Sequence, residues 1–417
     1  MPEPQCSPTK WIPVVAAVAA VLLGAAAFRW LLIWTRPPEL DLRVPGRDGR
    51  SEAARPAAPA VEIKGRFTTG PGVPADLPGA WPRFRGPDFS NISTQRVALA
   101  DTWPPAGPPV LWETEMGEGH AAPAVLDGRV YVLDYDEELR ADTLRCLSLA
   151  DGGEIWRRSY TVHLKRNHGM SRTVPAVADN VVVTIGPKCH VMCVDAVSGE
   201  FLWGLDMQKA FGTEVPLWYT GQCPLIDDGV AVLAPGGEAL MVGIDCATGK
   251  ELWRAPNPRG WKMSHSSVMP MQLDGRRTYV YCAVGGVAGV GAEGPERGRV
   301  IWRTDAWNHT VIAPSPVPVG DGRVFLTAGY GAGSMMLAVE RRNGVYETEV
   351  VQEIGVKEGL ACEQQTPVFW EGHLFGVLPK DAGPLRNQLA CYSPDYCTRP
   401  VWTSGKTIRF GLGPFVV

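Results

Sequence analysis

The chain has 417 residues, 45% hydrophobic and 20% charged, which is enough apolar material for a large globular core and excludes a disordered protein. A formal net charge of -4 over that length leaves no electrostatic footprint for nucleic acid, so nucleic acid drops out as an expected partner. The 47 Gly, 37 Pro and 15 Trp suit tight turns between short strands and count against a helix-rich fold.

Residues 1–10 form an N-terminal tail, and residues 11–34 read "WIPVVAAVAAVLLGAAAFRWLLIW". This run carries one charge, Arg29, near its end, where a long side chain can reach the interface. It is long enough to span a bilayer. The alternative is a cleaved signal, with Lys10 as its basic flank, residues 12–23 as its apolar stretch and Ala25, Ala26 and Ala27 as the cleavage site. The apolar run resumes at residues 30–34, which favours the anchor. Arg36, Arg43 and Arg47 follow the span while Lys10 precedes it, against the positive-inside pattern of an exported domain. A periplasmic or extracellular location is therefore expected from architecture, not from charge. Residues 35–80 are rich in Pro, Ala and Gly and read as a solvated linker.

Beyond the linker the chain repeats. Trp112, Trp156, Trp203, Trp253, Trp302 and Trp402 are spaced by 44, 47, 50, 49 and 100 residues, the last gap being two periods. A second marker, Pro123, Pro175, Pro224, Val268 as the departure, Pro316, Pro367 and Pro414, follows at 52, 49, 44, 48, 51 and 47. Two markers keep one register, as in a propeller or solenoid. The first unit reads as four strands: "APAVL", then "RVYVLDY" after Asp127-Gly128, then "TLRCLSL", then "EIWRRS" after Asp151-Gly152-Gly153. Four strands in about 45 residues make one blade, whose faces are buried only when neighbours stack. The expectation is an all-β, seven-bladed propeller over residues 81–417, with eight blades as the alternative. The Trp ladder should pack between blades. The last unit stops inside its first strand, which implies truncation or an open edge.

The units "CLSLADGGEIWR", "CVDAVSGEFLW" and "GIDCATGKELWRA" resemble the pyrroloquinoline-quinone-like (PQQ-like) repeat of the quinoprotein alcohol dehydrogenase-like superfamily, and "WPRFRGPDFSNIS" (81–93) resembles its lead-in segment. The resemblance covers residues 81–417 and implies a propeller. It leaves function open, because that superfamily holds quinoprotein alcohol dehydrogenases and also a non-catalytic lipoprotein of outer-membrane protein assembly. The enzymes need a quinone (PQQ), a Ca²⁺ on carboxylate and amide ligands, an Asp base and, in many members, an adjacent Cys pair. This chain has no Cys-Cys, no CxxC and no metal-ligand spacing among its 10 cysteines. No cofactor is therefore expected, and PQQ with Ca²⁺ belongs to the alternative reading, an oxidoreductase. Cys391 and Cys397 are the candidate disulfide; buried thiols are the expectation elsewhere.

Loops joining one blade's outer strand to the next blade's inner strand gather at the channel mouth, where propellers bind ligands. His120, Arg172, His265 and Gln364 stand three residues before the aligned position, and His168 and His309 lie in the same loops, with Trp218 and Tyr219. His120 and His265 occupy equivalent places on blades one and four, so their rings should face each other across the channel. These six residues are the candidate ligand site of a membrane-tethered scaffold for a protein or small-molecule partner.

Overall fold

The computed structural model describes residues 12–34, 60–96 and 98–417. They fall into two compact units, one up to Ala60 and one from Val61 to Val417. The first holds α1 (Ile12–Trp34), whose stretch Pro13–Leu31 has mean hydropathy 2.1 and is long and apolar enough to cross a membrane. The expected tail at 1–10, Cys6 and most of the expected linker lie outside the described residues.

The second unit is a β-propeller. Its first sheet is β2 (Ala124–Leu126), β3 (Arg129–Asp136), β4 (Ala141–Ser148) and β5 (Glu154–Thr161), to whose outer edge β1 (Arg66–Thr69) adds. The second is β6 (Ala176–Ala178), β7 (Val181–Ile185), β8 (His190–Asp195) and β9 (Phe201–Asp206). The third runs from β10 (Leu225–Asp227) through β11 (Val230–Leu233) and β12 (Ala239–Asp245) to β13 (Glu251–Pro256). The fourth is β14 (Met269–Leu273), β15 (Arg276–Ala283), β16 (Gly286–Gly291) and β17 (Val300–Thr304). The fifth is β18 (Val317–Gly320), β19 (Arg323–Ala328), β20 (Gly333–Arg342) and β21 (Val345–Ile354), and the sixth β22 (Val368–Trp370), β23 (His373–Val377), β24 (Leu389–Ser393) and β25 (Tyr396–Thr403). Each sheet is an antiparallel meander in chain order, inner strand first. The described residues thus form six sheets, and neither the stretch around Trp112 nor that after Pro414 forms a strand of an expected seventh.

The inner strand begins one residue after each of the first six aligned positions, including Val268. Proline suits that place because the residue before a strand has no ladder partner to lose. The Trp ladder also has its reason in the structure. A Cβ on Gly152, Gly199, Gly249 or Gly298, the left-handed glycines of the outer turns, would come within 2.5, 2.7, 2.7 and 2.8 Å of Trp112, Trp156, Trp203 and Trp253 of the preceding unit. The glycine is required twice, for its positive φ and for the indole lying against it. The indole N–H then closes the joint: Trp112 donates to Leu149 O at 2.9 Å, Trp156 to Val197 O at 3.1 Å and Trp203 to Cys246 O at 2.7 Å. Trp302 is buried too, whereas Trp402 is 45% exposed, with no described sheet beyond it.

A second set of bonds links the sheets near the axis. At four residues that each stand just before an aligned position, two before the inner strand, the backbone N–H donates to the side chain of its counterpart in the next sheet. Val174 donates to Cys223 Sγ (3.2 Å), Cys223 to Ser267 Oγ (3.0 Å), Ser267 to Ser315 Oγ (2.9 Å) and Ser315 to Thr366 Oγ1 (2.9 Å). Inside this belt, residues 81–93 lie along the inner strands. Trp81 bridges Val125, Val177 donates to Pro82 O, and Arg83 donates to Ile226 O. Arg85, buried and lowered to about 10 by loss of solvent, donates to the carbonyls of Phe89, Ser90, Thr366 and Pro367. Ser93 and Asn91 pair with Val417.

Two expectations are corrected. Residues 61–80 are not linker: Ile63 is buried, β1 pairs along β5 in register from Arg66↔Ser159 to Thr69↔Trp156, and Arg158 spans the joint with its guanidinium 4.9 Å from the Phe67 ring and a bond to Lys64 O. The strand is too short and too Gly/Pro-flanked to stand out in composition. Cys391 and Cys397 are not bridged; both are free and buried, Cys397 Sγ donating to Ser393 O.

Between sheets 1 and 2, Tyr160 Oη donates to the buried Asp142 Oδ2 at 2.5 Å, and this pair packs against Gly186, where a Cβ would lie 2.2 Å from the hydroxyl. Asp142 Oδ1 has no partner. Loss of solvent raises the Asp142 carboxyl to about 7, against the lowering effect of the Tyr160 bond. The fold favours the protonated form, so its contribution is complete below the ordinary carboxylate range and is lost as pH rises toward 7. Asp142→Asn should therefore raise the thermal midpoint more at pH 8 than at pH 4; a pH-independent difference would refute this. Trp156→Ala, at a fully buried joint, should cost about 3–5 kcal/mol in urea unfolding, and Trp402→Ala much less.

Candidate functional site at the channel mouth

The loops that carry the candidate residues are tied together before any ligand is considered. Tyr219 reaches across to the loop after β5, its hydroxyl accepting from Lys165 N at 2.8 Å and donating to Lys165 O at 2.7 Å. His120 N donates to Ser171 O at 2.7 Å, and His120 Nε2 lies 3.1 Å from His168 O. Arg172 Nη2 donates to the same His168 carbonyl at 2.6 Å, and to Asn167 O and Gly169 O. Its Nε is buried without a partner, and no carboxylate lies within ion-pair distance of it among the described residues.

Trp218 is the hub of the mouth. It stacks with His265 (centroids 6.3 Å apart, planes 26°) and with Tyr330 (6.0 Å, 15°), and meets His168 edge-on at 6.3 Å. These rings come from the connections after β5, β9 and β13 and from the β19–β20 hairpin. Burial, then the Arg172 charge, lowers His265 to about 4, with backbone bonds at Leu217 and Tyr219 opposing. The imidazole is neutral at pH 7. His168, Trp218, Tyr219 and Tyr330 have φ of 54°, 64°, 73° and 59°. Left-handed backbone is unfavourable for such bulky residues, at about 1–3 kcal/mol each, and persists where the surroundings over-determine it.

Of the six expected residues, His120, His168, Arg172 and His265 meet in this cluster. The His120 ring is held at the His168 carbonyl and the His265 ring lies on Trp218. His309 instead packs edge-on against Trp307 at 4.3 Å, and Gln364 is exposed, with no hydrogen-bond partner among the described residues. Tyr330 went unrecognised in the sequence because it sits in a hairpin inside a blade, not in a connection between blades. On the same face, Tyr135, Glu137, Arg140, His163, Leu164, Arg166 and Met170 line an open cleft of about 560 Å³.

The quinone and Ca²⁺ alternative asks for a free plate to stack on and for carboxylate and amide ligands. Trp218 already has two stacked rings, the charge beside it is the Arg172 cation, and Glu118 is paired with Arg166 at 2.5 Å. Among the described residues no three His, Cys, Asp or Glu side chains gather as metal ligands. These residues do not fit the group.

A family model described as "Outer membrane protein assembly factor BamB" matches residues 140–381. A stretch of 139 residues is 28% identical to quinohemoprotein alcohol dehydrogenase from Comamonas testosteroni, covering 32% of this chain and 18% of that enzyme. Among solved structures, BamB from Moraxella catarrhalis superposes with TM-score 0.43 and 13% identity over 62% of this chain and 66% of its own. The quinohemoprotein alcohol dehydrogenase ADHIIG from Pseudomonas putida HK5 gives 0.40 and 13% over 71% and 68%. The chain thus spans less than a fifth of the curated dehydrogenase and about two thirds of the solved BamB structure.

Because its folded His265 pKa lies below the ordinary imidazole value, the protein should lose stability as pH falls from about 6.5 toward 4, where the unfolded imidazole takes up a proton that the folded one refuses. His265→Gln should flatten part of that slope in thermal melts; an unchanged slope would contradict the assigned neutrality.

Proposed function

The chain belongs to the PQQ-like repeat family described as outer membrane protein assembly factor BamB, and from that premise we propose that it is a membrane-tethered, extracytoplasmic propeller that binds a protein or small-molecule partner at its mouth without oxidoreductase turnover. The observation that carries this reading is the ring cluster of His168, Trp218, His265 and Tyr330, with left-handed backbone at three of the four. Such strain is retained where a surface must keep its shape for recognition. The ligand surface is aromatic and cationic, and its polar groups are already bound to loop carbonyls. That suits docking better than proton or hydride transfer. The apolar α1 supplies the tether.

A photo-crosslinking residue at Tyr330, 69% exposed at the mouth, should capture a partner in cells, whereas one at Val345, the exposed first residue of β21, should not. Equal capture at both sites, or at Val345 alone, would overturn the docking face. Quinone-dependent dye reduction by the purified protein would overturn the non-catalytic half. Carbonate extraction should leave the full chain in the membrane fraction and release the chain from Val61 onward.

A further inference from the structure

Asp142 stands in one row of sheet 1, paired with Tyr135 of β3 on one side and with Tyr160 of β5 on the other. Two arms lead from this row to the Trp218 hub. The first follows the chain: the Tyr135 hydroxyl donates to Val162 O at 2.9 Å, and three residues on, Lys165 is gripped through both its backbone groups by the Tyr219 hydroxyl. The second crosses the joint between sheets 1 and 2. Gly186, which follows β7, lies so close that a Cβ there would sit 2.2 Å from Tyr160 Oη and 2.3 Å from Asp142 Oδ2. The carbonyl of the next residue, Pro187, accepts from Thr220 N at 3.1 Å. Tyr219 and Thr220 follow Trp218 directly in the chain. The contacts therefore close a circuit, from Asp142 through either sheet to one short segment of the mouth.

One link of that circuit can change charge. The Asp142 carboxyl is fully buried, its Oδ2 accepts from Tyr160 and its Oδ1 has no partner. The groups that face it offer no positive charge. Asp134 on β3 is a second carboxylate, and Tyr135 and Tyr160 are phenols that burial pushes up. Behind Tyr160, burial pushes the Cys189 thiol up to about 12 and holds His190, edge-on to the Tyr160 ring at 5.6 Å, below the ordinary imidazole range. Asp206, 3.9 Å from His190 Nε2, adds a further carboxylate. The nearby cations act elsewhere: Lys209 pairs with Asp206 at 3.5 Å, Lys188 bears on His190 and Arg140 bears on Tyr135. An ionised Asp142 would be a buried charge with one hydrogen bond and no counter-ion, which a protein escapes by keeping the proton or by admitting water.

We infer that Asp142 and Tyr160 form a pH-operated latch on the mouth: the protonated carboxyl keeps sheets 1 and 2 closed on each other with both arms taut, and the ionised carboxyl draws water into the joint and frees the connection after β5 from Tyr219. This inference rests on the docking reading above and gives its regulation, a partner being held on the acid side of neutrality and released on the alkaline side. The bistable element is the joint itself, and the two arms carry its state to the rings around Trp218.

The test is amide hydrogen exchange of the full chain at pH 6 and pH 8, corrected for the intrinsic rate and read by mass spectrometry over residues 162–170 and 218–222. The carboxyl titrates at about 7, so about nine molecules in ten are protonated at pH 6 and about one in ten at pH 8. Protection of both segments should fall about tenfold between the two, while sheet 5 keeps its own. Asp142→Asn, which cannot ionise, should hold the pH 6 level of protection at both values. Tyr160→Phe removes the bond that favours the carboxylate and should move the loss to higher pH; an unmoved midpoint overturns the latch. Equal protection at pH 6 and pH 8 in the unaltered protein also overturns it, and this arm stands even where a variant fails to fold. So does a loss that survives in Asp142→Asn, since that variant keeps every histidine of the mouth, and His265 stays neutral across the window. None of these results decides the docking reading, which crosslinking at Tyr330 tests by itself.

Discussion

The fold depends on the fit of one indole against one glycine. A four-stranded sheet of this kind has two apolar faces and no means of covering either alone. Four joints resolve this by laying a Trp over the glycine of the next unit's outer turn, and at three of them the indole N–H donates to a carbonyl of that turn. Any side chain on that glycine would occupy the space of the ring. Sequence spacing, turn conformation and inter-sheet packing are thus one constraint, repeated. Without it the sheets would remain separate meanders, and the mouth loops would have no fixed relation to one another.

That constraint also explains what could be read in advance. Trp and Gly recur together at four joints because the indole fills the space that a side chain on the glycine would need, and the aligned Pro recurs because the residue before an inner strand loses nothing by lacking an N–H. The belt nearer the axis left no trace in the pattern. Its acceptors are Cys223, Ser267, Ser315 and Thr366, four positions whose only common property is a short side chain with a lone pair. Identity varies while geometry does not. β1 was missed for the related reason that an edge strand needs only backbone, so Arg66–Thr69 carries little hydrophobic signal.

At the mouth, the loops were legible and the contacts were not. Register places His120, Arg172 and His265 at equivalent positions, but equivalence of place is not equivalence of role. Loop length undid this. The connection after β9 carries Trp218 inward to a place that the shorter connections cannot reach, and it recruits His265 from one side and Tyr330 from a hairpin. His309 and Gln364 share the register without sharing the hub. Where a repeat specifies the scaffold, variation in the loops between repeats specifies the surface, and symmetry is a poor guide to it.

The lead-in segment imposes an order of events on biosynthesis. Residues 81–93 leave the ribosome before any blade exists, yet their partners are Val125, Ile226, Thr366 and finally Phe415, to which Asn91 donates across 324 residues of sequence. At roughly 5–20 residues per second, the segment waits on the order of half a minute for its last contact. Arg85 cannot find the Thr366 and Pro367 carbonyls until five sheets have been translated and the sixth is about to begin. The sheets can form one by one as they emerge, but latching the lead-in segment is a late event, and a chain interrupted mid-synthesis would carry an unlatched N-terminal arm.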